Sequence, residues 1–174
     1  MDRASRGDGR AFGDLAGRVQ DDLFRFALAQ GLCRADAAET VQESLLRVWQ
    51  RRRAWRTGAD PTAWLYGIAM NVVRERRRRR TRAGRGGMDM DVFPAAGPRD
   101  DGAEPTELAR LGRHLADLPE RQREAVACRF LRQMSVRDTA AAMGCAEGTV
   151  KAAVFAALRN LRGAFQREGE AVRP

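Results

Sequence analysis

Asp60-Pro61-Thr62-Ala63-Trp64-Leu65-Tyr66-Gly67-Ile68-Ala69-Met70-Asn71-Val72-Val73-Arg74-Glu75, then the run Arg76 to Arg80, then Thr81 and Arg82: the fold of this chain turns on how that stretch is read. Pro61 suits a first helical turn, where its missing N–H would have no partner, and Asp60 before it can cap the free amides. Leu65, Ile68, Ala69, Val72 and Val73 recur at spacings of three and four, while Trp64, Asn71 and Arg74 cannot all join that stripe. The spacing predicts a helix with one core face and another bearing an indole, an amide and a guanidinium. Its end is almost pure arginine, which no small core buries, so the run is expected in water or against a polyanion. Rings that stack on bases, followed by arginines that hold phosphates, make a surface suited to single-stranded nucleic acid.

Upstream, Phe12, Leu15, Val19, Leu23 and Phe26 mark an amphipathic helix that Gly31 is placed to stop. A second helix is expected from Asp36 to about Arg53, burying Val41, Leu45, Val48 and Trp49. Glu39, Gln42, Glu43 and Leu46 fall mostly elsewhere on that cylinder. An apolar side chain among acids in so basic a protein points to a docking face, against the plainer reading of a solubilising one. Tyr66, Trp49 and Trp55 read as packing residues, and Trp64 is balanced between packing and base stacking.

Downstream the composition changes. Residues 83–104 hold Gly84, Gly86, Gly87, Pro94, Gly97, Pro98 and Gly102 with little periodicity, which reads as a linker. Leu108, Leu111, Leu115 and Leu118 then give a helix ended by Pro119. The helix after it, from Glu120 to Leu131, is expected to turn Val126 and Phe130 inward. Two further helices follow, Val136 to Met143 and Glu147 to about Phe165, the latter with Val150, Val154, Leu158 and Leu161 as its stripe. Gly144 between them is the tight turn, giving the sequence form of a helix-turn-helix. His114 lies off its stripe and reads as a surface residue. With no strand signal, the expected class is all-α: two small helical domains at 11–82 and 105–168, a flexible linker at 83–104, and tails at 1–10 and 169–174.

The chain has 174 residues and a net charge of +9, carried almost wholly by arginine because Lys151 is its one lysine. That balance implies a polyanionic partner. The N-terminus lacks the apolar core of a signal peptide and no window reaches membrane-spanning length, so a cytoplasmic location without membrane insertion is expected. Cys33, Cys128 and Cys145 are far apart and in no paired motif, which favours plain thiols over a disulfide framework or zinc site. One histidine and scattered carboxylates offer no acid–base constellation; no enzyme, catalytic residue, metal or cofactor is expected.

The motifs Asp36 to Trp49, Pro61 to Asn71, Leu118 to Val126 and Ala146 to Lys151, in that order and divided by a linker, resemble the extracytoplasmic-function (ECF) sigma factors of the bacterial sigma-70 family. The resemblance implies that the chain binds core RNA polymerase and directs promoter-specific initiation. Glu39, Gln42, Glu43 and Leu46 would meet the clamp helices of the largest subunit, and the flap is a further expected contact. Arg56, Thr57, Trp64, Asn71, Arg74, Arg76, Arg77 and Arg78 would hold the melted minus-10 strand. Glu147, Thr149, Lys151, Arg159 and Arg162 would meet the minus-35 element, and an anti-sigma factor is a possible partner. The family usually continues after Thr-Val-Lys with Ser-Arg-Leu and a further basic pair, where this chain has Ala152, Ala153, Val154, Phe155 and Ala156. Two alternatives stay open: an operator-binding regulator using the helix-turn-helix alone, and a homologue that binds polymerase but initiates poorly.

Overall fold

A computed structural model of the chain describes residues 1–55, 61–82 and 107–171. The expected linker, Arg56 and Thr57 lie outside them. The first half comprises α1 (Asp2–Ser5), α2 (Gly9–Ala29), α3 (Arg34–Gln50), a 3-10 turn (Arg52–Ala54) and α4 (Pro61–Arg82). The second comprises α5 (Glu107–Ala116), α6 (Glu120–Val126), α7 (Val136–Met143) and α8 (Glu147–Ala171). No single described helix is long and apolar enough to cross a membrane; α7 and α8 reach that composition only as a pair bent by 99°.

Local chemistry sets the helix ends. The Asp8 carboxylate accepts from the Ala11 amide at 3.0 Å to start α2, and Ser135 Oγ accepts from the Asp138 amide at 3.0 Å to start α7. Cys33 does the same for α3, its Sγ accepting from the Asp36 amide at 3.5 Å. Gly144 ends α7 in the left-handed region at φ 66°. A Cβ in that conformation is strained, so Gly144→Ala is expected to lower stability by about 1 kcal/mol in urea denaturation.

Three helices build the first half. Leu23 and Phe26 of α2, Val41 and Val48 of α3, and Leu65, Ile68 and Ala69 of α4 are buried together, with Tyr66 edge-on to Phe26 at 5.1 Å. Arg47 of α3 clamps Glu75 of α4 with two hydrogen bonds of 2.9 and 2.7 Å. Those bonds hold the Glu75 carboxyl below its ordinary range. A group whose folded pKa is depressed contributes stability above its unfolded pKa, so this contribution is lost as pH falls through the lowered value.

The opening residues depart from the frayed tail expected of them. Ala4 is fully buried and Asp2 Oδ1 accepts from Trp55 Nε1 at 3.1 Å, so α1 closes over the 3-10 turn. An indole N–H buried at a helix junction needs an acceptor, and the chain's second residue supplies one.

In the second half, Leu115, Leu118, Val126 and Ala157 form a small core with Leu161 against it. Phe130, expected inside, is 54% exposed. The helix continues past Val126 as a π-turn, Ala127–Leu131, whose Arg132 amide reaches back five residues to the Ala127 carbonyl at 3.1 Å. The extra residue in that turn shifts the side-chain phase, so Cys128 points inward and Phe130 outward. Burial pushes the Cys128 thiol up to about 12, which keeps it protonated and unreactive. Leu158, also expected inside, is 47% exposed, because the buried line of α8 runs through Val150, Ala153 and Val154, Ala157 and Leu161. His114 is no surface residue: its Nε2 lies 2.9 Å from Glu168 Oε2 and its ring packs edge-on to Phe165 at 4.6 Å, tying α5 to the end of α8.

The two halves are packed against each other rather than held apart. Apart from the small core of the second half, one continuous cluster of buried apolar side chains spans both, to which the second half adds Ala125, Ala127, Cys128, Met134, Ala140, Ala142, Met143 and Val150. The contact runs along α4 and α7, and Gly67 makes it close: a Cβ there would sit 3.4 Å from the Ala142 carbonyl oxygen. A side chain larger than a methyl group at Gly67 would meet the backbone of α7.

Candidate polymerase and nucleic-acid interfaces

On α3 the side opposite the core is open. Glu39 and Gln42 are exposed, Glu43 is half-buried, and Leu46 is 51% exposed. The four follow one another at intervals of three and one and three along one flank of the helix, so they form a contiguous polar face, acidic at its start and apolar at its end. It is not inert, because Glu43 accepts from Arg47 Nε at 2.7 Å and Glu39 from Arg76 Nη1 at 2.6 Å.

The arginine run of α4 is less free than its sequence suggests. Acids from both neighbouring helices meet it. Arg76 also binds Asp36 at 3.1 Å, Arg80 binds the other Asp36 oxygen at 2.9 Å, and Arg77 lies 3.5 Å from Glu120 of α6. Arg78 and Arg79 remain exposed. The expectation that the run meets only water or polyanion therefore gives way: α3 and α6 supply the countercharge, and self-repulsion along the run is relieved inside the fold.

Arg74 is the most committed of them. Its Nε and Nη2 donate to the two carboxylate oxygens of Glu124 at 2.6 and 2.7 Å, and Nη2 reaches the Met143 carbonyl at 3.4 Å. Glu124 is 1% exposed. A carboxylate so buried is tolerable only with its charge paired and both oxygens bonded, and this planar two-point contact does both. The pair spans the two halves. Nothing in the sequence singles out Glu124, whose surroundings read as an ordinary helix start; two-sided burial is its only signal and that exists in three dimensions.

The rest of the α4 face is divided. Asn71 is exposed, whereas Trp64 is half-buried and leans on Trp55 with ring centres 5.7 Å apart. Trp64, Asn71 and Arg74 share one flank, but in this arrangement Arg74 is held by Glu124 of the second half.

On α8, Glu147, Thr149 and Lys151 are exposed near the start, and Arg159 and Arg162 about two and three turns further on. Between them lies an apolar band, with Ala152 exposed, Phe155 70% exposed and Leu158 beside it. Lys151 and Arg159 stand about 12 Å apart along the axis, so the helix offers two cationic ends separated by a surface that bonds no phosphate.

Residues 15–83 match the family model for sigma-70 region 2, and residues 108–161 match the one for sigma-70 region 4. The ECF RNA polymerase sigma factor SigL of Mycobacterium tuberculosis is 34% identical over 149 residues, covering 84% of each chain. The chain belongs to the ECF sigma factors. RpoE of Cereibacter sphaeroides, another ECF RNA polymerase sigma factor, is 31% identical over 89% of this chain and 86% of its own. Among solved structures, sigma factor RpoE with the anti-sigma factor NepR from Bartonella quintana superposes with a TM-score of 0.74 at 28% identity, covering 90% of this chain and 98% of that one. CnrH in complex with the cytosolic domain of CnrY shares the fold, with a TM-score of 0.73 at 24% identity over 95% and 94% of the two chains. This ECF protein is thus a promoter-directing sigma factor, with α2 to α4 in region 2 and α5 to α8 in region 4.

Proposed function

We propose that this sigma factor docks on core RNA polymerase through Glu39, Gln42, Glu43 and Leu46, with the clamp helices of the largest subunit as the receiving surface and the flap meeting region 4. The observation that carries the reading is Leu46, an aliphatic side chain half in water one turn beyond Glu43 at the end of the polar flank that begins at Glu39. Bound there, α4 presents Trp64, Asn71, Arg74, Arg76, Arg77 and Arg78, with Arg56 and Thr57 before it, to the melted minus-10 strand. Stacking and charge favour opening by holding its product. Glu147, Thr149, Lys151, Arg159 and Arg162 of α8 face the minus-35 duplex.

Arg74 cannot serve DNA and Glu124 together, so the packed arrangement is the idle form and the halves part on polymerase. A partner of the anti-sigma kind would act by keeping them together. The apolar band on α8 favours a second reading, in which minus-35 binding is weak and minus-10 contacts carry most of the selectivity.

Transcription reconstituted from the purified chain, bacterial core polymerase and a library of randomised promoters tests the assignment. Start sites that depend on the chain, with a shared upstream motif, are the expected result. No association with polymerase, with or without promoter DNA, overturns it.

A further inference from the structure

Where α4 crosses α6, Arg74, Arg77, Arg78, Arg82 and Arg121 surround an open groove whose lining holds one carboxylate, that of Glu120. Arg74 is neutralised by Glu124, and Arg77 has Glu120 at 3.5 Å without a hydrogen bond from its buried Nη1. Arg121 donates to the Met143 carbonyl at 3.2 Å, and its charge has for a carboxylate within ion-pair distance only Glu124 at 3.9 Å, whose oxygens Arg74 already holds. Beside Arg77 stands Arg123, 2% exposed, donating to the Ala116 carbonyl at 2.5 Å while its Nε and Nη2 have no acceptor among the described residues. Burial, and then the Arg77 charge, lower the Arg123 pKa to about 10. Arg123 is not part of the groove lining and adds only its charge to the field there. Five guanidinium groups around one groove with a single carboxylate, one of them with a buried Nη1 lacking an acceptor, mark a place where an anion is stabilising.

We propose that this seam binds a small polyphosphate anion, a chain of two or three phosphoryl groups, free or carried by a nucleoside. Arg78 and Arg82 lie about 6 Å apart along α4, and Arg121 faces them from α6, a spread that suits several linked phosphates better than one. Guanidinium groups in this number suit a multiply charged anion, and each planar fork matches a phosphoryl group's oxygens. Because α4 belongs to region 2 and α6 to region 4, the anion bridges the halves and stabilises their packed arrangement, lowering the affinity of the free chain for single-stranded DNA.

Calorimetric titration of the full chain with sodium tripolyphosphate, ATP and sulfate at matched ionic strength tests this. Tripolyphosphate or ATP is expected to bind at least about tenfold more tightly than sulfate, by the multidentate contacts sulfate cannot complete. Equal affinity for the first two assigns the phosphate chain alone, and a preference for ATP assigns a nucleotide. Arg78→Ala/Arg82→Ala, at exposed positions that leave the core intact, is expected to lose about tenfold. Arg51→Ala/Arg53→Ala removes the same charge elsewhere and is expected to lose none. Affinity no better than sulfate, or equal loss in both double variants, overturns the site. So does competition by a random single strand that binds more tightly than either small anion, which gives the seam to nucleic acid. Polymerase binding is measured separately, so failure here leaves the sigma-factor assignment standing.

Discussion

Replacing Glu124 with alanine is expected to cost about 3 kcal/mol of stability and, at the same time, to raise the affinity of the isolated chain for single-stranded DNA. The cost arises because Arg74, which donates to Glu124 at 2.6 and 2.7 Å, is left without a carboxylate. It stays at the low end of the range for broken buried pairs because 19% of the Arg74 side chain reaches water. The gain arises from the same event, since Arg74 loses the acid that competes with phosphate, while Arg77 keeps Glu120 at 3.5 Å. Urea denaturation reads the first effect and fluorescence anisotropy with a labelled oligonucleotide the second. Arg74→Met/Glu124→Met separates them: an apolar pair restores most of the stability, and the variant binds DNA no better than the parent. Unchanged DNA affinity in the Glu124→Ala chain would show that Arg74 is structural only.

The second large effect belongs to the opposite flank of region 2. Leu46→Asp is expected to weaken polymerase binding by about thirtyfold or more, the scale of a central interface residue, with the thermal midpoint almost unchanged. The fold tolerates it because half of Leu46 is already in water and the neighbouring buried positions of α3 are Ser44 and Val48. The interface does not, because a charge would be desolvated where an apolar group was. Glu43 is a poorer probe. It is bonded to Arg47, which in turn clamps Glu75, so its loss disturbs the joint between α3 and α4 as well as the docking face. Co-elution with core polymerase, read beside a melting curve, distinguishes the two. Parallel loss of binding and stability would move Leu46 from docking to packing.

The helices were legible because their causes are local. Apolar spacing from Leu65 to Val73, Pro61 at the first turn and Gly144 after Met143 specify where chain turns into helix and where it stops, and the order of motifs carried the family. Phe130 and Leu158 were misplaced for a reason of the same kind. A π-turn, or a one-position shift in which flank meets the neighbour, changes phase without changing composition. What the sequence could not contain is which charges meet. Glu124 reads as one acid among many until α4 and α6 are side by side, and the arginine run reads as unneutralised until Asp36, Glu39 and Glu120 arrive from other helices. The sequence by itself determined the helices, their two groupings and the basic character that calls for a polyanion. Only the tertiary structure decided that the second half covers Arg74, because ion pairing depends on distances between residues fifty positions apart, which no periodicity encodes.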